Sequence, residues 1–169
     1  MAENVEFPLL HNQLSAAQRR ALVEDALRRT GLTDFRATYP KQLSNGMRQR
    51  VGISRALAVR PAILLMDEPL SALDSQTREL LMEDFVRLLA DGGMGAVYVT
   101  HNLEEAARLA DRIVVLSRRP GRVREVVTVP MTRATRGEAA REKLLALQNQ
   151  IWSLIRNEAI DAEREVQHA

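Results

Sequence analysis

The chain has 169 residues, 46% of them hydrophobic, which is enough for a core in one domain or two small lobes and excludes wholesale disorder. It has no cysteine, so disulfides and thiolate metal sites are excluded, and no apolar run approaches membrane-spanning length. The formal net charge is +2; of the 24 basic residues only Lys41 and Lys143 are lysine. Arginine suits phosphate or RNA, but charges of both signs are interspersed and aromatics are scarce, so a nucleic-acid partner is not expected.

The opening Met1-Ala2-Glu3-Asn4-Val5-Glu6 reads unlike a secretory signal. Residues 15–30 predict a helix: Ser15 is an N-cap with Gln18 three residues later, and Ala21, Leu22, Ala26 and Leu27 give the apolar period. Gly31 ends it. Ser44 is placed to cap a second helix reaching about Val59, with Pro61 just beyond. Residues 62–66 are wholly apolar and predict a strand buried on both faces. Residues 75–91 predict a helix that Asp91-Gly92-Gly93 breaks.

A second strand is expected at 96–100, a short helix at 103–109 and a third strand at 112–116. This β-α-β-α-β order implies a parallel sheet with right-handed crossovers. The Arg119-Pro120-Gly121-Arg122 turn leads to a hairpin-paired strand over 123–129, and the chain reads as helical from about Thr135. The organisation is a helical part (1–60), an α/β part (61–130) and a helical extension (131–169). Leu144, Leu147, Ile151, Leu154 and Ile155, beside Trp152, form a stripe expected to pack on its own core. Arg118, Arg119, Arg122 and Arg124 read as a solvated hairpin rather than a lipid anchor, and His11 and His168 as surface residues.

Two stretches carry chemistry. Leu43-Ser44-Asn45-Gly46-Met47-Arg48-Gln49-Arg50 is a polar turn opening a helix, the kind of place that gathers phosphate. Ile63-Leu64-Leu65-Met66-Asp67-Glu68-Pro69 is an apolar strand ending in adjacent carboxylates, which hold Mg²⁺ and aim water. Their proximity suggests nucleotide chemistry. No G-x-x-x-x-G-K-[ST] phosphate loop occurs in the chain.

These two stretches, followed by Ser71-Ala72-Leu73-Asp74 and then Thr100-His101, resemble in this order the ATP-binding-cassette (ABC) ATPases that drive membrane transporters. Met47 to Ile53 is similar to the importer branch for nitrate, sulfonate, taurine and related oxyanions. The resemblance runs from about Asn4 to Met131, the length of the family's second half. It implies an α/β fold, a partial P-loop NTPase with a helical subdomain, a short parallel sheet core and C-terminal helices.

The resemblance assigns roles by position. Asp67 would hold Mg²⁺, and Glu68 would orient or deprotonate the attacking water. Ser44, Asn45, Gly46 and Met47 form the signature that touches the γ-phosphate of ATP held by the opposite subunit; taken alone, Ser44 is an ordinary helix cap. His101 is the switch histidine on the γ-phosphate. Asp74 would lie at the dimer seam, besides capping the 75–91 helix.

Asn45 replaces the usual first signature glycine and Met47 the usual glutamine; asparagine tolerates positive φ, so the turn is expected to survive. The family's phosphate and glutamine loops would lie before residue 1, so the expectation is a fragment truncated at the N-terminus, its Met1 a valine codon taken for a start. The parent would bind ATP and Mg²⁺, pair with a second cassette (a homodimer is expected) and dock on a permease at the cytoplasmic face of the inner membrane. A substrate-binding protein would take part indirectly. The chain alone is expected to be inactive. The rival expectation is a non-catalytic subunit lending only its signature face or docking on a permease.

Overall fold

A computed structural model describes residues 1–90, 93–132, 135–136 and 138–166, and the side chains of all these except 138 and 157–166. His168, and the Asp91 and Gly92 of the predicted helix break, lie outside the described residues. The chain forms two compact units, Met1–Val99 and Thr100–Ala169.

The first unit begins with α1 (Ala2–Glu6) and α2 (Ala16–Arg29). Ser15 starts α2 with a reciprocal capping box: its hydroxyl accepts from the Gln18 N–H at 3.3 Å, and Gln18 Oε1 accepts from the Ser15 N–H at 2.8 Å. Gly31, at φ +67°, reverses the chain so that the Leu32 N–H reaches the Leu27 carbonyl at 2.8 Å. Next come α3 (Asn45–Ala58), β1 (Ile63–Asp67), α4 (Ser75–Ala90) and β2 (Gly95–Val99). β1 and β2 pair in parallel, Leu65 opposite Val97 and Asp67 opposite Val99. α4 sends Leu81, Met82, Phe85, Leu88 and Leu89 into the core, and Phe85 meets Tyr98 edge to face with ring centroids 6.0 Å apart.

β1 is buried on one face, whereas the sequence predicts burial on both. Leu64 and Met66 are buried, but Ile63 is 60% and Leu65 75% exposed, as are Val97 and Val99 at 52% each. An apolar run reports that a strand prefers two dry faces; it does not supply the second cover. Among the described residues of this unit α4 contributes the cover on one side, and the Ile63–Leu65–Val97–Val99 face stays bare.

The second unit holds α5 (Leu103–Leu109), β3 (Arg112–Leu116), β4 (Val123–Thr128) and α6 (Arg141–Val166). β3 pairs antiparallel with β4, Ile113 opposite Val127, instead of continuing a parallel ladder. Chain order implies handedness but not adjacency; the Ser117–Arg122 turn closes with the Ser117 N–H on the Arg122 carbonyl at 2.9 Å and lays β4 on β3. Ile113, Val115, Val127 and Val129 pack with Leu144, Leu147 and Ile151 of α6, so the helical stripe covers its own core. Arg118, Arg119, Arg122 and Arg124 are exposed.

Candidate functional site

In the first unit the candidate residues lie at helix starts and at a strand end. Ser44, with extended backbone at φ −64° and ψ 166°, caps α3 by accepting the Met47 N–H at 3.3 Å. That leaves the Asn45 and Gly46 amides among the helix's N-terminal donors, where the helix dipole favours an anion. Asn45 is the first helical residue and is absent from the positive-φ residues, so its replacement of glycine costs no backbone strain. Its side chain is occupied instead: Asn45 Oδ1 accepts from Arg48, whose other nitrogen reaches the Leu43 carbonyl at 2.5 Å.

Gly46 is required for space rather than for conformation. A Cβ at Gly46 would lie 2.4 Å from Thr77 Cγ2, so α3 approaches the first turn of α4 as closely as a hydrogen side chain permits. Thr77 in turn donates its N–H to Asp74 Oδ1 at 3.0 Å, which makes Asp74 the cap of α4. The Thr77 backbone N–H, then the Thr77 side chain, hold the Asp74 carboxyl below the ordinary carboxylate range. Signature turn and Asp74 are thus joined through Thr77. One to two turns further along both helices Arg50 Nη2 lies 2.7 Å from Asp84 Oδ2, fastening α3 to α4 again.

Asp67 closes β1, and Glu68 begins the turn beyond it; both are exposed. Glu68 has φ +43°, a conformation rare outside glycine, asparagine and aspartate. It is over-determined: its N–H donates to the Val99 carbonyl at 2.9 Å, and its carbonyl accepts the Ser71 N–H at 3.2 Å and the Ser71 hydroxyl at 2.9 Å. Backbone strain of this kind persists only where the surroundings over-determine it, and it clusters at functional sites. For a metal, Asp67 offers one hard oxygen donor group, and no cluster of three or more acidic or histidine side chains occurs among the described residues. That donor set fits Mg²⁺, which takes one or two carboxylates and completes its shell with water and phosphate.

His101, in the second unit, is exposed in a turn built by its neighbours. Thr100 Oγ1 donates to Glu105 Oε2 at 2.8 Å and accepts the Asn102 N–H at 3.0 Å. Asn102 Oδ1 caps α5 by accepting the Glu104 and Glu105 N–H groups at 2.9 and 3.2 Å. Glu105 is buried, 3% exposed. Sequence reasoning passed over Glu105 and Thr77. The Asn102-x-x-Glu105 spacing of a capping box was a usable signal for the first; nothing in the sequence flags Thr77. His11 is exposed.

A serine-capped helix start, an Asp–Glu pair ending a strand and a parallel α/β ladder define part of an ABC-type ATPase, a P-loop NTPase fold. Residues 1–71 match the ABC transporter family model. The taurine import ATP-binding protein TauB of Chromobacterium violaceum is 44% identical over 140 residues, 82% of this chain and 54% of that protein. The bicarbonate transport ATP-binding protein CmpD of Synechocystis is 37% identical over 153 residues, 90% and 52% of the two. Among solved structures, the ATP-binding cassette MJ0796, a dimer in a post-hydrolysis state bound to ADP and Pi, superposes with a TM-score of 0.62 at 37% identity, over 78% of this chain and 57% of that one.

The chain belongs to the ABC transporter ATP-binding family. It spans about half the length of these relatives. No helix among the described residues is long and apolar enough to cross a membrane.

Proposed function

We propose that this chain is the carboxyl-terminal part of the ATP-hydrolysing subunit of an ABC importer for small oxyanions such as taurine, other sulfonates or nitrate. The observation that carries the reading is the pairing, within one compact unit, of a Ser44-capped signature helix with the Asp67–Glu68 pair at the end of β1. In the assembled transporter Asp67 would hold Mg²⁺, which would neutralise phosphate charge, and Glu68, in the turn just beyond β1, would position the attacking water. Ser44, Asn45, Gly46 and Met47 meet the γ-phosphate on a second, identical cassette, Asp74 lies at the seam between them, and His101 reaches the γ-phosphate of its own site. Closure over two ATP molecules moves a permease at the cytoplasmic face of the membrane.

The bare Ile63–Leu65–Val97–Val99 face supports truncation over a self-sufficient, non-catalytic subunit. A parallel pair dry on one face only is rare, and covering these side chains is worth about 1.5–3 kcal/mol each. The polypeptide by which the relatives exceed this chain is the proposed cover, and it would bring the phosphate loop. The test is Mg²⁺-dependent binding of a fluorescent ATP analogue to the chain alone and to the chain joined behind the front segment of the Chromobacterium taurine protein. The joined protein should bind, with affinity reduced by Asp67→Asn, and the chain alone should not. Tight binding by the chain alone would refute the proposal.

A further inference from the structure

We infer that Glu105 is a positioning residue for His101, acting through Thr100. The inference rests on the reading of His101 as the residue that meets the γ-phosphate. Glu105 is the third residue of α5, in its first turn, and is 3% exposed, a costly place for a carboxylate unless it is well bonded. Its Oε2 accepts the Thr100 hydroxyl at 2.8 Å. The same hydroxyl accepts the Asn102 N–H at 3.0 Å. Thr100 and Asn102 flank His101, so one peptide neighbour of an exposed imidazole is held by the buried carboxylate and the other by the hydroxyl that the carboxylate orients.

The charge matters as well as the shape. An ionised carboxylate only accepts, so the Thr100 hydroxyl proton must point at Glu105 and its lone pairs are left for Asn102. Charge-assisted bonds of this kind are about twice as strong as neutral ones. A glutamine in the same place could turn its NH₂ toward Thr100 and reverse that order. The Asn102 cap then carries the constraint into α5, because Asn102 Oδ1 accepts the Glu105 N–H at 3.2 Å and closes the circuit on the same residue.

The chain contains three histidines, so the imidazole signals of ¹⁵N-labelled protein resolve His101 against two internal controls. In Glu105→Gln and Thr100→Val the His101 signals should broaden or split, and the Asn102 amide should exchange at least tenfold faster. His11 and His168 should be unmoved. Thr100→Ser, which keeps the hydroxyl, should match the wild type. Unchanged His101 signals and Asn102 exchange in both Glu105→Gln and Thr100→Val would overturn the positioning role. Thr100→Val leaves the buried carboxylate in place and serves if Glu105→Gln fails to fold. In the protein joined to a phosphate-loop segment, the same two variants should lower kcat at least tenfold with KM within twofold. Disordered His101 signals with undiminished turnover would instead refute His101 as the γ-phosphate contact.

Discussion

Gly46→Ala gives the sharpest test of how the signature turn is built. The added methyl would stand 2.4 Å from Thr77 Cγ2, well inside van der Waals contact, while Thr77 Cβ is at an ordinary 3.9 Å. Overpacking of this kind costs about 1–3 kcal/mol. Alanine's better helix propensity returns up to ~1 kcal/mol, so a net loss of about 0.5–2 kcal/mol is expected. Thr77→Ser removes the colliding Cγ2 and keeps Cβ and the backbone N–H that meets Asp74. In the double variant the clash disappears and the cycle should show a coupling of about 1–2 kcal/mol. Urea unfolding of the four proteins measures it. Asn45→Gly, by contrast, relieves no positive φ and should not stabilise. A neutral Gly46→Ala, or additive behaviour with Thr77→Ser, would refute the close-approach explanation.

Other outcomes follow from the same geometry. Glu68→Gly should stabilise the chain by about 1 kcal/mol by releasing the strain of φ +43°, with Glu68→Ala showing no such gain in thermal melts. Ser15→Ala breaks the capping box of α2 and should cost about 1 kcal/mol in denaturant unfolding. The Asp74 carboxyl lies below its ordinary value because the Thr77 N–H and side chain favour the anion. Its contribution is therefore complete above about pH 4 and is lost as the pH falls through the lower folded value. The stability gap between wild type and Asp74→Ala should close on acidification, and a gap that widens would contradict the cap. Leu65→Lys, on the bare strand face, should change the stability of the chain alone by no more than about 0.5 kcal/mol yet weaken its association with a front segment in a pull-down.

The local elements were legible because their signals are local. Ser15 with Gln18, Ser44 ahead of an apolar period, and Gly31 past a helix end each name a boundary that the backbone honours. What the sequence could not show was long-range. An apolar run does not say how many faces will be covered, so the bare side of β1 was unreadable. Nor does chain order say which strand lies beside which: the turn over residues 119–122 made the β3–β4 hairpin legible, but not that, among the described residues, β3 would pair with β4 alone and leave the parallel ladder to β1 and β2. At the site, the apolar run before them picked out Asp67 and Glu68, and the family resemblance picked out His101, but neither says what holds them. Asn45 looked like a question of φ and proved to be a helical residue bonded to Arg48. Gly46 looked like turn chemistry and proved to be a packing contact with Thr77, thirty-one positions away, which no local pattern could predict.

The central claim is that Glu68 activates water for ATP hydrolysis once a phosphate loop is supplied. The direct measurement is steady-state release of inorganic phosphate by the joined protein, with and without Glu68→Gln, beside the 169-residue chain alone. The joined protein should turn over ATP, Glu68→Gln should reduce the rate at least a hundredfold while ATP still binds, and the chain alone should release none. Undiminished turnover with Glu68→Gln would contradict the claim, as would steady turnover by the chain alone.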